Sequence, residues 1–181
     1  MISPPRVRRA AVRRAGRSPE YLYGGPMLRP FRLAFGLSPV IEVLESARQK
    51  VEPLLEAAGI PRFALEEPSY RITYQQEFAF IRLALARLKM PHAGVEVGQR
   101  YHLALFGVLG LAASCAPTMR DLFRCVPTYP ALAWGCIEEA VWRDGDDEYV
   151  AFYENTQVGD LAAFFVERDT TALLALFRQT L

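Results

Sequence analysis

The stretch Gly94 to Tyr129, GVEVGQRYHLALFGVLGLAASCAPTMRDLFRCVPTY, limits the fold more than any other part of the chain. A glycine-punctuated apolar run, Leu103–Cys115, leads into Ser114-Cys-Ala-Pro-Thr118, and a more polar amphipathic segment begins there. The run falls short of the roughly 18 apolar residues that a membrane-spanning helix needs. Its length suits a buried core helix, so the stretch reads as two helices meeting at a tight corner. Gly107 and Gly110 each weaken the first helix by about 1 kcal/mol relative to alanine. Glycines three apart share a helix face, so close approach of a second backbone is expected there. Thr118 and Asp121 form a T-x-x-D box that caps the second helix, Met119 to about Val126.

Upstream of the corner the chain reads as helical. Ser38-Pro39 is a helix entry, with Ser at the N-cap and Pro in the first turn. Val40, Val43, Leu44, Ala47 and Val51 then recur at helical spacing. Pro53 interrupts that helix, and Leu54–Ala58 is a short second piece ended by Gly59 and Pro61. Thr73-Tyr-Gln-Gln76 is a capping box that opens a long helix from Tyr74 to about Met90, stopped by Pro91. Its apolar stripe is Phe78, Ile81, Leu85 and Leu88, with Arg82 and Lys89 outside it. Gly94–Arg100 alternates briefly and is expected to be extended or looped.

Downstream the period changes. Gly135–Arg143 and Glu148–Glu154 read as two strands joined by Asp144-Gly-Asp-Asp147, a strong hairpin signal. In the first strand Ile137, Glu139, Val141 and Arg143 face one way, and Cys136, Glu138, Ala140 and Trp142 the other; neither face is cleanly apolar. From Asp160 a helical pattern returns and continues to Leu181. The fold class is therefore α+β: several helices packed with a small antiparallel sheet that includes a hairpin near 135–154.

With 181 residues, 51% hydrophobic and 23% charged, the chain is composed like one ordinary globular domain. Its net charge of +1 conceals an asymmetry. Residues 1–32 hold eight arginines (6, 8, 9, 13, 14, 17, 29 and 32) against Glu20, a balance of +7, and the other 13 Lys/Arg and 19 Asp/Glu leave 33–181 at −6. An acidic folded part is poorly suited to gripping phosphates, so any contact with nucleic acid would fall to the arm. Residues 1–30 lack helical or strand periodicity and read as a disordered basic tail before a folded unit over 31–181. Cys115, Cys125 and Cys136 are an odd count at wide spacing without a C-x-x-C pair, which fits reduced, buried thiols. The basic N-terminus lacks an apolar core followed by a cleavage site, so no secretory signal is read. The cytoplasm is the expected compartment, and no membrane association is expected.

Catalytic signatures are missing. The sequence has no glycine-rich phosphate loop, G-x-S-x-G elbow, H-E-x-x-H or calcium-binding loop. Asp144-Gly-Asp-Asp147 is acidic, but its glycine stands at the wrong position for an EF-hand. His92 and His102 have no metal-ligand spacing to Cys115 or Cys125, and Cys115 with His102 makes only a weak case for a nucleophilic pair. No cofactor and no metal are expected. The aromatics offer more. Tyr101, Phe106, Tyr129, Trp134, Trp142, Phe152 and Tyr153 concentrate around the corner and the hairpin. Core packing explains any one of them, and as a group they suit the wall of an apolar ligand pocket. Arg100, His102 and Arg143 are nearest for orienting a ligand carboxylate. The candidate ligand-binding set is Arg100, Tyr101, His102, Phe106, Trp134, Trp142 and Tyr153.

Several segments, taken in order, carry a family resemblance: Leu54-Leu-Glu-Ala-Ala-Gly-Ile60, Arg71-Ile-Thr-Tyr-Gln-Gln-Glu77, Gly94-Val-Glu-Val-Gly-Gln-Arg100, Phe106-Gly-Val-Leu-Gly110 and Ser114-Cys-Ala-Pro-Thr-Met119 followed by Asp121-Leu-Phe123. Residues 54–181 resemble the N-terminal, arabinose-binding-type effector domain of AraC/XylS transcriptional regulators. The resemblance implies a non-enzymatic domain that senses a small-molecule effector or forms a homodimer. It also implies that DNA is bound only through a helix-turn-helix region absent from this chain. The series stops after the late helix, before the family's usual closing strands, so a fragment or truncated product is expected. The alternative is a stand-alone module that dimerises with an intact regulator and inhibits it.

Overall fold

The computed structural model describes residues 21–23, 31–118, 121, 138–144, 147–153 and 156–180. Among them are six α-helices, α1 (Ser38–Ser46), α2 (Glu52–Ala57), α3 (Tyr74–Leu88), α4 (Ala93–Gly98), α5 (Val108–Ser114) and α6 (Ala162–Thr180). There are five short strands, β1 (Tyr21–Tyr23), β2 (Phe31–Leu33), β3 (Arg71–Thr73), β4 (Glu138–Asp144) and β5 (Asp147–Tyr153). Two antiparallel sheets result, one ordered β1-β4-β5 and the other β2-β3. The α+β expectation is met.

A strand and a 3₁₀ turn precede the helix entry at Ser38. β2 pairs with β3, Phe31 opposite Thr73 and Leu33 opposite Arg71, and a 3₁₀ turn over Ala34–Leu37 leads straight into α1. That lead-in displaces the expected cap. Leu37 already has helical angles and precedes the helix, while the Ser38 hydroxyl donates back to the Phe35 carbonyl at 2.6 Å. Helix α1 ends at Ser46, short of Val51. Arg48 takes a left-handed φ of 56°, and the amides of Gln49 and Arg48 return to the carbonyls of Leu44 and Glu45. This is a Schellman closure made without glycine. Pro53 consequently opens α2 in its first turn and breaks no helix. Gly59, at φ 68°, ends α2 with the same pair of bonds, from Ile60 and Gly59 to Leu55 and Glu56.

The capping box of α3 is as read. Gln76 N–H donates to Thr73 Oγ1 at 3.2 Å, and Thr73 N–H donates to Gln76 Oε1 at 2.9 Å. Gln76 Nε2 also donates to the Gly59 carbonyl at 2.6 Å, tying the end of α2 to the start of α3. Phe78 and Ile81 are buried as expected, Leu85 and Leu88 are half-buried, and Phe80 and Ala84 complete the buried face. Arg82 and Lys89 lie outside it, and Lys89 closes the helix at φ 47°.

Two readings of the central stretch are corrected. Gly94–Arg100 is not extended; it contains helix α4. Its glycines are four apart and face α6, where a Cβ at Gly94 would run into the Phe164 carbonyl oxygen. A Cβ at Gly98 would lie 2.6 Å from both the Arg168 carbonyl oxygen and Thr171 Cβ. Close approach of two backbones, not strand alternation, explains the spacing. The run Leu103–Cys115 is not one helix either. Leu103–Phe106 is a 3₁₀ turn, and Gly107, at φ 51° and ψ −122°, separates it from α5. Those angles are open essentially to glycine alone. The backbone approach expected here occurs at Gly110, against the Leu103 carbonyl, and not at Gly107. Cys115 is exposed rather than buried.

The cap at Thr118 is present, its hydroxyl accepting the Asp121 N–H at 3.2 Å, while the helix it would start lies outside the described residues. The hairpin runs from Glu138 opposite Tyr153 to Asp144 opposite Asp147, within a few residues of its expected ends. Gly135, Cys136 and Ile137 of the expected first strand lie outside the described residues. Within the stretch read as a disordered tail, Tyr21–Tyr23 forms β1, with Tyr21 opposite Val141 and Tyr23 opposite Glu139. The helical pattern from Asp160 holds as a 3₁₀ turn over Thr156–Leu161, kinked at Gly159, and then α6. The main core gathers Leu37, Leu44, Leu55, Ile60, Phe80, Ile81, Val97 and Phe165 from all these helices except α5. No described helix is long and apolar enough to cross a membrane.

Candidate functional site

The core contains charge. Helix α6 buries Phe164, Phe165, Ala172 and Leu176, and at the place in that stripe where an apolar residue would continue it stands Arg168, 2% exposed. Its Nε pairs with the Asp169 carboxylate at 2.6 Å, and its guanidinium lies 4.5 Å from the centre of the Phe165 ring. A second buried pair lies nearby, Arg32 Nε of β2 with Glu77 Oε2 of α3, also at 2.6 Å. Glu77 falls in the first turn of α3, where the helix dipole favours a carboxylate. Beside these pairs Phe78 and Phe165 meet at 5.2 Å between ring centres.

Tyr101 lies beside the Arg168 guanidinium. It follows α4 directly, is 3% exposed, and lies 5.8 Å ring to ring from Phe106 and 5.9 Å from the Arg168 guanidinium. Burial pushes its hydroxyl up to about 12; Arg168 and Arg32 pull it down, Asp169 and Glu77 push it up. A phenol so placed stays neutral through the physiological range, so it can donate a hydrogen bond but cannot act as a base near pH 7. Gln179 holds the segment from α6: its Nε2 donates to the Tyr101 carbonyl and its Oε1 accepts from the Leu103 amide, both at 3.1 Å.

The structure therefore brings together two of the candidate ligand residues, Tyr101 and Phe106. Arg100 and His102 flank Tyr101 in sequence, and both are exposed. Trp142 lies in β4 opposite Tyr149, and Tyr153 lies in β5 opposite Glu138. Trp134 lies outside the described residues. Among the described residues no group of His, Cys, Asp and Glu is arranged to hold a metal. His92 instead meets Glu167 at 2.7 Å, tying α4 to α6. The sequence reading missed Arg32, Glu77, Arg168 and Asp169. Arg168 did carry a signal, a charge standing in an otherwise apolar helical stripe. The pairing of Arg32 with Glu77 had none.

Two surface features are distinct from this interior. An open hollow of about 500 Å³ is lined by Glu52, Leu55, Glu56, Gly59, Ile60, Pro61 and Arg62, with Arg62 and Glu52 3.4 Å apart at its rim. On α5 and its C-cap, Val108, Leu111, Ala112 and Cys115 recur at i, i+3, i+4 and i+7, and all are exposed, Val108 at 74% and Leu111 at 66%.

Residues 49–181 match the family described as the arabinose-binding domain of AraC transcription regulator, N-terminal. Two curated relatives, both named as uncharacterized HTH-type transcriptional regulators, come from Mycobacterium bovis and Mycobacterium tuberculosis. Each is 28% identical over 123 residues, which is 67% of this chain and 36% of the relative. The chain thus spans about a third of the length of the curated relatives it matches. The family is one of transcription-regulator domains and not of enzymes. By that match over most of its length, the chain belongs to the arabinose-binding-type N-terminal domain family of AraC transcription regulators.

Proposed function

We propose that this domain senses a small-molecule effector for an AraC-type regulator, and that Tyr101 and Phe106 belong to the interior wall that reads it. The observation that carries this reading is the aromatic pair at the α4–α5 corner, seated beside a buried guanidinium. An aromatic wall with a few convergent polar groups is how small-ligand sites are built. Arg100, His102, Trp134, Trp142 and Tyr153 complete the proposed set. Reading DNA is assigned to the portion of the relatives that this chain does not cover.

Thermal-shift screening of fatty acids, amino acids and sugars tests the proposal. A true effector at one hundred times its dissociation constant adds about 2.7 kcal/mol of stability. Tyr101→Phe and Phe106→Ala should reduce that shift. No stabilisation by any of the three classes would overturn the sensing role.

The exposed apolar stripe of α5 favours a second activity for the same domain, self-association, and with it the alternative of a module that pairs with and inhibits an intact regulator. Sedimentation distinguishes these. A chain that stays monomeric at high concentration, alone and mixed with a full-length relative, removes both.

A further inference from the structure

Tyr101 and Leu103 stand on either side of His102, whose backbone is extended at φ −138° and ψ 159°. In extended backbone the carbonyl before a residue and the amide after it point to the same side. Both groups here also belong to the ends of helical turns, where backbone partners run out. The Tyr101 amide bonds back to the Gly98 carbonyl, so the Tyr101 carbonyl lies beyond the last turn of α4. Leu103 opens the 3₁₀ turn that carries Phe106, and its amide is a first-turn donor.

One side chain answers both groups. Gln179, in the last turn of α6, donates from Nε2 to the Tyr101 carbonyl and accepts from the Leu103 amide at Oε1, each at 3.1 Å. A carboxamide is a detached peptide group, with donor and acceptor side by side. It meets the two flanks of His102 as a residue of a neighbouring strand would. Glutamate lacks the donor, lysine lacks the acceptor, and asparagine is shorter. The same helix touches the corner at two further places. The Arg168 guanidinium lies 5.9 Å from the Tyr101 ring centre, and Phe177 packs with Ala113 of α5.

We propose that Gln179 is a positioning residue of the sensing corner. It sets the backbone joint between Tyr101 and Leu103, and thereby the 5.8 Å and 46° relation of the Tyr101 and Phe106 rings. The role rests on the reading of those rings as a sensing wall. It makes the last turn of α6 part of that wall's geometry, so that a shift of either is felt by the other.

Solution NMR on the unliganded full chain tests this. Gln179→Met keeps the length and removes both bonds. The Leu103 amide should then exchange about fivefold faster, the worth of one ordinary hydrogen bond. The ring resonances of Tyr101 and Phe106 should shift with it, and amides in α2 and α3 should keep their rates. Gln179→Glu still offers the Leu103 amide an acceptor, so that amide should stay at the wild-type rate while the rings shift, because a carboxylate opposes the Tyr101 carbonyl. Gln179→Lys, a donor without an acceptor, should speed Leu103 exchange as methionine does. The lysine and glutamate chains decide together should Gln179→Met not fold. Leu103 exchange at the wild-type rate in the methionine and lysine chains, or faster exchange with unmoved rings, overturns the positioning role. So does one uniform factor through α2 and α3, which marks a general loss of stability. These readings need no effector, so an empty effector screen overturns the sensing role without deciding them.

Discussion

Tyr101 has a hydroxyl where water cannot stabilise its anion, and this has a consequence in alkaline solution. Its ionisation is raised to about 12 in the fold, against about 10 in an unfolded chain. Between those values the unfolded chain has released the proton and the folded chain still holds it. Stability should therefore fall as pH rises from 10 to 12, by at most about 1.4 kcal/mol per pH unit from this residue. Below pH 10 the effect vanishes. Urea unfolding at stepped pH should show this slope in the wild type and a shallower one in Tyr101→Phe. At this scale the sequence was partly legible. Tyr101 could be singled out because aromatics cluster around it in the chain. Its charged surroundings could not, because Arg32, Glu77 and Arg168 converge from distant segments and no local spacing links them.

Among the elements, α4 and α6 pack with their backbones in contact, and glycine permits it. Gly98→Ala would place a methyl 2.6 Å from the Arg168 carbonyl oxygen and Thr171 Cβ, neither of which can swing aside. Overpacking of this kind costs about 1–3 kcal/mol, sometimes more. Gly107→Ala meets nothing within 4 Å, and its cost, also about 1–3 kcal/mol, comes from backbone angles alone. The two are separable by denaturant midpoints in a second background. Replacing Thr171 by glycine, which removes that Cβ, should shrink the loss from Gly98→Ala and leave that from Gly107→Ala unchanged, each measured against the Thr171→Gly chain. Several elements whose signals are local were read correctly, the cap at Ser38 being an exception. The box at Thr73, the stop at Gly59 and the turn at Asp144 each depend on residues a few positions apart. Helix α4 was misread because Val95 and Val97 imitate strand alternation, and only α6, some seventy residues on, reveals what its glycines face. The α5 run was misread for the opposite reason. Its apolar length looked helical throughout, while Gly107 adopts angles that end one turn and begin another.

Across the whole molecule, charge is divided by position along the chain. The N-terminal 32 residues carry +7 and the rest −6. Any affinity of this chain for duplex DNA should come from Arg6, Arg8, Arg9, Arg13, Arg14 and Arg17, ignore base sequence, and fall by about 0.9 logarithmic units per tenfold salt for each phosphate engaged. Fluorescence anisotropy with two unrelated duplexes checks this. Deleting residues 1–17 should abolish binding, and a salt-insensitive or sequence-selective signal would locate recognition in the folded part. The fold class and hairpin were legible at this scale because the switch of period from helix to strand survives in a single sequence. The sheet's third strand was not, since Tyr21–Tyr23 lies among arginines, prolines and glycines that suggest no structure. Its pairing gives the molecule an order of assembly. Tyr21 leaves the ribosome 120 residues (141 minus 21) before Val141, its partner. Closing so long a loop is entropically unfavourable and slow unless the intervening chain has already compacted. The helical layer built by residues 38–98 can form while synthesis continues. β1 thus waits for β4, and until residues 138–144 are made it is an unmatched edge open to other partners.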